Sequence, residues 1–320
     1  MDALDRLQAG GSTNGGVGIQ LAYATAREHF VEGGLNRVIL CTDGDFNVGV
    51  TDEGSLVELI EEQRESGVFL SVLGFGTGNL NDSTMEKLAD KGNGNYAYID
   101  GLAEARKVLV AEMGGTLLPV AKDVKIQVEL NPTQVAAWRL IGYENRLLAH
   151  EDFADDSKDA GEIGAGLAVT ALYEIVPHGV PVPDSVAQDT VDPLRYQRPA
   201  EVGGQAFSGE LMFLKLRYKP VDGDASLLIE TPVRDGGGTW YEASDDFKLA
   251  SGVALFGMLL RRSEHSGQGA WPLVRQMVLE SRGDDPRGYR AEFLRMVDAA
   301  AGLPTEEEMP PEGGADGGRR

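Results

Sequence analysis

Residues 38–49, VILCTDGDFNVG, run a short apolar segment straight into a cluster of carboxylates and glycines. Asn36–Thr42 reads as a strand, and its almost wholly apolar composition is the pattern expected when both faces of a strand are covered. Upstream, Ile19, Ala22, Tyr23, Ala26 and Phe30 follow the spacing of one helix face. Downstream, Leu56, Leu59, Ile60 and Gln63 suggest a second helix, stopped at Gly67 and followed by an apolar strand over 68–73. Ser83 and Glu86 read as a capping box that opens a further helix, which Gly92 closes. Tyr96–Ile99 is a third strand, and Leu102, Ala105, Val108, Leu109 and Glu112 mark a last helix. Alternating strands and helices with short links predict a doubly wound α/β fold on a parallel sheet. In such sheets ligands bind beyond the carboxyl ends of the strands, where Asp43 falls.

At 320 residues the chain has room for about two domains. Its 51 acidic against 29 basic residues give a net charge of −22, which opposes binding to nucleic acid. The 42% hydrophobic content excludes wholesale disorder. A single cysteine, Cys41, excludes an internal disulfide and argues against a cysteine-based metal site; within its strand it reads as a small buried hydrophobe. No run of 18 apolar residues is present, so no transmembrane segment is expected, and the start carries neither a basic leader nor a signal core.

From about residue 119 the period changes. Val124, Ile126, Val128 and Leu130 alternate with Lys125, Gln127 and Glu129, and similar alternation recurs over 169–175 and 214–218. That is the pattern of a half-buried antiparallel sheet. Residues 177–209 carry five prolines and read as a long loop. Helical spacing returns at Leu249, Val253, Phe256 and Leu260, then over 271–280, then at Phe293, Leu294 and Val297. The expected organisation is an α/β unit over 1–116, a β-rich unit with C-terminal helices over 119–301, and a disordered tail over 302–320.

Several chemistries could place Asp43 and Asp45 after a strand. An EF-hand loop fails, because its glycine position holds Val48 and its glutamate position Gly54. A phosphoryl-transfer aspartate lacks a convincing downstream hydroxyl and lysine pair. GFGTG (74–78) lacks dinucleotide-loop spacing and reads as a flexible turn. A third reading joins Asp43 to the Thr13 hydroxyl in AGGSTNGG (9–16), since hydroxyl and carboxylate oxygens suit a hard divalent cation. The plain alternative makes Thr13 a helix cap and Asp43 a turn residue. The four histidines (29, 150, 178 and 265) are scattered, and G-x-S-x-G is absent, so no catalytic residue is assigned. Asp152, Asp155, Asp156, Asp159 and Glu162 form an acidic stretch that reads as a solvated loop in preference to a second cation site. Arg261 and Arg262 at a helix end suit its dipole and need no ligand.

GGSTNGG (10–16), the helix after it and VILCTDG (38–44) resemble the second half of a von Willebrand factor A domain, a similarity that runs through 1–115. YENRLL (143–148), DAGEIGAG (159–166) and VTALYEIVP (169–177) resemble the C-terminal domain of a bacterial subgroup of such proteins. The resemblance implies a metal-ion-dependent adhesion site of three loops: Asp-x-Ser-x-Ser, a Thr, and an Asp after a strand. Thr13 matches the second loop and Asp43 the third. Asp-x-Ser-x-Ser does not occur in this chain. The expectation is therefore a truncated domain whose missing strands would need roughly 80–100 residues upstream. The strand at 36–42 would then show an unpaired apolar edge. The resemblance further implies a non-enzymatic module that binds Mg²⁺ (or Mn²⁺ or Ca²⁺), weakly in this chain. Its partner would be a protein presenting an acidic side chain, and its setting the cell envelope or periplasm. The alternative is a structural or scaffolding protein without a functional metal site.

Overall fold

The first strand, β1 (Asn36–Thr42), lies parallel to β2 (Val68–Phe75), and β2 lies parallel to β3 (Tyr96–Ile99). Asn36 is level with Val68 and Thr42 with Gly74; Val72 is level with Tyr96 and Phe75 with Ile99. The sheet order is β1-β2-β3, so β1 is an edge strand among the described residues. The computed structural model describes residues 15–43, 53–76, 81–112, 119–142, 147–156, 158, 160–183, 186, 203–221, 223 and 225–303.

Helices α1 (Gly15–Glu28), α2 (Glu53–Arg64) and α3 (Asp82–Lys91) supply one cluster with the sheet. Ile19 and Tyr23 of α1, Leu56 and Ile60 of α2, and Met85 and Leu88 of α3 meet Val38, Leu70 and Val72 there. Burial of such side chains contributes about 1.5–3 kcal/mol each before entropy is counted. The cap of α3 differs from the capping-box expectation. Asn81, two residues before Ser83, is the N-cap and accepts from the Thr84 amide. Asparagine caps as well as serine does, and starting there adds Asp82 to the first turn. Cys41 is exposed, contrary to the reading of a covered strand. Val38 faces the cluster, whereas Ile39 and Cys41 lie on uncovered positions of an edge strand. The turn after α3 crosses the sheet so closely that a Cβ on Gly94 would stand 1.8 Å from the Leu70 carbonyl oxygen. Only glycine admits that approach. The last helix expected in this segment is α4 (Leu102–Arg106), which runs on as a π-turn over Lys107–Ala111 and buries none of its side chains.

A four-stranded sheet has the order β6-β4-β8-β9, built from β4 (Pro119–Leu130), β6 (Gly161–Gly164), β8 (Met212–Pro220) and β9 (Leu227–Val233). A separate hairpin-like pair joins β5 (Val135–Ile141) to β7 (Leu172–Pro177), antiparallel, with Arg139 opposite Glu174. The alternation along β4 misled. Lys125 is 3% exposed and Ile126 is 46% exposed. The register of β4 against β6 shifts between Ala121 and Val124, and Asp123 has a φ of +50°. Such a bulge adds a residue to one strand and turns the following side chains to the other face.

The C-terminal helices are α5 (Asp245–Leu260), α6 (Trp271–Glu280) and α7 (Tyr289–Ala300). Leu255, Met258, Val274, Val278 and Val297 form their core, and Phe256 packs edge-on against Trp271 and Phe293. Val253 and Leu260, expected on the buried face of α5, are exposed; Gly252, Leu255 and Met258 occupy that face instead. Gly252 fits because Met277 lies where a larger side chain would extend. The chain divides into two compact units. One is Met1–Gln127, Ala149–Ala168 and Lys215–Ile229; the other is Val128–Leu148, Val169–Leu214 and Glu230–Arg320. No helix among the described residues is long and apolar enough to cross a membrane. The tail expected to be disordered lies outside the described residues from 304 onward.

Candidate functional site

The parallel register brings three strand ends to one edge. Thr42 is level with Gly74, so Asp43 leaves β1 one step before Gly76 leaves β2. A Cβ on Gly76 would lie 3.8 Å from that of Asp43, which brings together the residues that leave β1 and β2. Gly76 has a φ of +95°, in the region that favours glycine. The Tyr98 hydroxyl of β3 donates to the Gly76 carbonyl at 2.8 Å and holds the residue that leaves β2. Asp43 is exposed and already engaged within the chain.

Asp100 was missed in the sequence, although it too follows an apolar strand directly and is exposed. Strands lie about 4.8 Å apart, so the backbones at Asp43 and Asp100, two strands apart, are roughly 10 Å from each other. Thr13, Asp45 and Asn47 lie outside the described residues. Among the described residues no group of three or more His, Cys, Asp or Glu side chains is placed to hold a metal. The carboxylate of Asp43 is the oxygen donor a hard cation takes, but alone it is one ligand of the several such an ion requires.

The acidic stretch is met by the chain's own cations. The buried Lys125 ammonium donates to the backbone carbonyls of Asp152, at 3.3 Å, and Asp155. The Asp156 carboxylate accepts from the Ser226 hydroxyl and lies 3.4 Å from Arg217. The Ser226 hydrogen bond, with Arg217 and Lys219 nearby, holds its carboxyl below the usual carboxylate range. Lys219 pairs with Asp123 at 2.7 Å and Lys158 with Asp152 at 3.7 Å. These contacts tie the turn at 150–156 to the sheet; Asp159 lies outside the described residues.

Comparison with known proteins bears on both segments. Residues 1–109 match the model of the von Willebrand factor type A domain, and residues 115–303 match that of "Uncharacterized protein YfbK, C-terminal". The chain is 45% identical over 301 residues to the uncharacterised protein YfbK of Escherichia coli (strain K12), covering 94% of this chain and 51% of that protein. It thus spans about half the length of the curated relative it matches. A von Willebrand factor type A structure from Catenulispora acidiphila aligns with a TM-score of 0.42 at 14% identity, over 92% of this chain and 65% of that one. BatB from Bacteroides thetaiotaomicron aligns with a TM-score of 0.26 at 22% identity, over 34% of this chain and 61% of that one. The chain belongs to the family defined by the YfbK C-terminal domain, which here follows a von Willebrand factor type A domain.

Proposed function

We propose that this chain is a protein-binding module in which a divalent cation at the carboxyl edge of the parallel sheet bridges to an acidic side chain of its partner. The observation that carries the proposal is the position of Asp43, directly after β1 and against Gly76, which follows β2. Von Willebrand factor type A domains serve as interaction modules and commonly hold a divalent metal, which supports the reading. Thr13 would hold the ion directly or through water and Asp43 through water, balancing its charge, with oxygen donors that select Mg²⁺ or Mn²⁺ over softer metals. The ion's part is to offer an open coordination position to a carboxylate; the chain's part is to hold the donors on a rigid edge. The module is read as non-enzymatic, with its two segments meeting near 116–119 and its setting at the cell envelope.

Calorimetry with Mn²⁺ tests the ligand assignment. Two donors predict binding weaker than micromolar, reduced on the order of tenfold in Asp43→Ala as one charge-assisted ligand is lost. An affinity that is unchanged by Asp43→Ala refutes it, and the chain would then stand as a scaffold without a functional metal site. Limited proteolysis that first cuts inside 123–131 contradicts the division, and fractionation that finds the protein only in the cytosol contradicts the setting.

A further inference from the structure

Arg261 follows α5 and was assigned above to the helix dipole, while His265 had no role. Tertiary folding gives both a different environment. A cavity of about 250 Å³ opens beside β5 and the turn after α5, within a single compact unit. Arg139, Arg261, Ser263 and His265 line it together with the apolar side chains of Ile141 and Met258.

The Arg139 side chain is 16% exposed. Its Nε donates to the Glu174 carboxylate at 2.6 Å, and Nη2 lies 3.5 Å from both the Met258 sulfur and the His265 carbonyl. The guanidinium is thus pinned on one side, and its Nη1 has no hydrogen-bond partner among the described residues. Arg261 makes no ion pair with any described residue. His265 Nε2 stands 3.9 Å from Glu264, beyond hydrogen-bond range. Its Nδ1 is shut off from solvent and has no partner among the described residues, where a buried polar atom ordinarily has one. The Ser263 hydroxyl accepts from the His265 amide at 3.3 Å and retains a proton to donate.

Charge accounting points the same way. Glu174 offsets Arg139, and the 81% exposed Glu264 side chain is solvated, which leaves Arg261 uncompensated among the described residues. Among the described residues no carboxylate lines the cavity, although the chain as a whole carries −22. We propose that this cavity binds a small molecule bearing an oxyanion group, carboxylate or phosphate. Two guanidiniums lining one cavity can match the oxygens of either group. Ile141 and Met258 receive the apolar remainder, and the volume, near the lower end for small-molecule sites, limits that remainder to a few heavy atoms.

Titration calorimetry on the full chain, with inorganic phosphate and with succinate in matched chloride, tests the proposal. One-site saturable binding of at least one oxyanion is expected, and the one that binds identifies the group. Arg261→Gln should weaken binding on the order of tenfold while leaving far-UV circular dichroism unchanged, because the residue is exposed. Arg139→Lys, which keeps the charge and removes the fork, should weaken it as well. Arg262→Gln, one position away and outside the cavity lining, should not. Absence of saturable binding to both anions, or equal affinity in wild type and Arg261→Gln, overturns the proposal.

Discussion

Asn131, between β4 and β5, is 8% exposed and uses its whole amide. Nδ2 donates to the carbonyls of Ala206, at 2.8 Å, and Glu210, at 2.6 Å. Oδ1 accepts from the Thr133 amide at 3.0 Å and lies 2.9 Å from the Thr133 hydroxyl. Asn131→Ala therefore strands four groups, but two of them rescue each other. The Thr133 hydroxyl is also 2.9 Å from the Ala206 carbonyl and can turn its proton there. The Glu210 carbonyl and the Thr133 amide remain unpaired. At about 1–1.5 kcal/mol for each part-buried orphan, the loss is about 2–3 kcal/mol. Asn131→Asp should cost more at neutral pH, since it sets a carboxylate against the carbonyls that Nδ2 served. The three tryptophans, Trp138, Trp240 and Trp271, all belong to the unit that contains Asn131, so urea unfolding followed by tryptophan fluorescence reports on it. With a slope of about 2 kcal/mol per molar urea, the midpoint should fall by about 1–1.5 M. A fall below about 0.3 M for Asn131→Ala, or a smaller fall for Asn131→Asp, would refute the hydrogen-bond reasoning.

Tyr23 is fully buried in the helix–sheet cluster, and its hydroxyl has no partner among the described residues, so Tyr23→Phe should stabilise the fold by up to about 1 kcal/mol. Burial pushes the Tyr23 hydroxyl up to about 12 from its ordinary value of 10.0. The folded state thus keeps a proton that the unfolded chain releases sooner. Stability from this group is complete below pH 10 and is lost as pH rises towards 12; alkaline unfolding of Tyr23→Phe should lack that component. Gly94→Ala forces a methyl against the Leu70 carbonyl and should cost about 3 kcal/mol or more in a thermal melt. Gly101→Ala, where nothing lies within 4 Å and the backbone is extended, should stay within about 1 kcal/mol and serves as the control.

Local pattern sufficed for the elements that local chemistry dictates. Asn36–Thr42 and Tyr96–Ile99 were bounded correctly because apolar β-branched and aromatic runs flanked by glycine, asparagine and aspartate have few other uses. The helices at 271–280 and around Val297 were legible because apolar residues recur there at helical spacing. Asp43 could be placed at the sheet edge once its strand was known to be parallel. The start of α3 was not legible to the residue, since Asn81 and Ser83 can both cap and only their geometry chooses between them. Strands β5, β6 and β9 went unread: β6 is only four residues long, and Val135–Ile141 and Leu227–Val233 show no regular polar face.

The sequence by itself determined the mixed α/β class, the change of period near 119, the surplus of negative charge and the carboxylate after β1. Tertiary structure alone decided that Lys125 is buried while Ile126 is not, that Cys41 faces outward, and that Arg139 meets Arg261 and His265 in one cavity. The physical reason is that periodicity records which face of an element is apolar, not what lies against that face. A bulge with one left-handed residue reverses the faces of β4, and an edge position uncovers those of β1. A cavity wall drawn from a strand and from a turn more than a hundred residues later leaves no trace in either segment's own pattern.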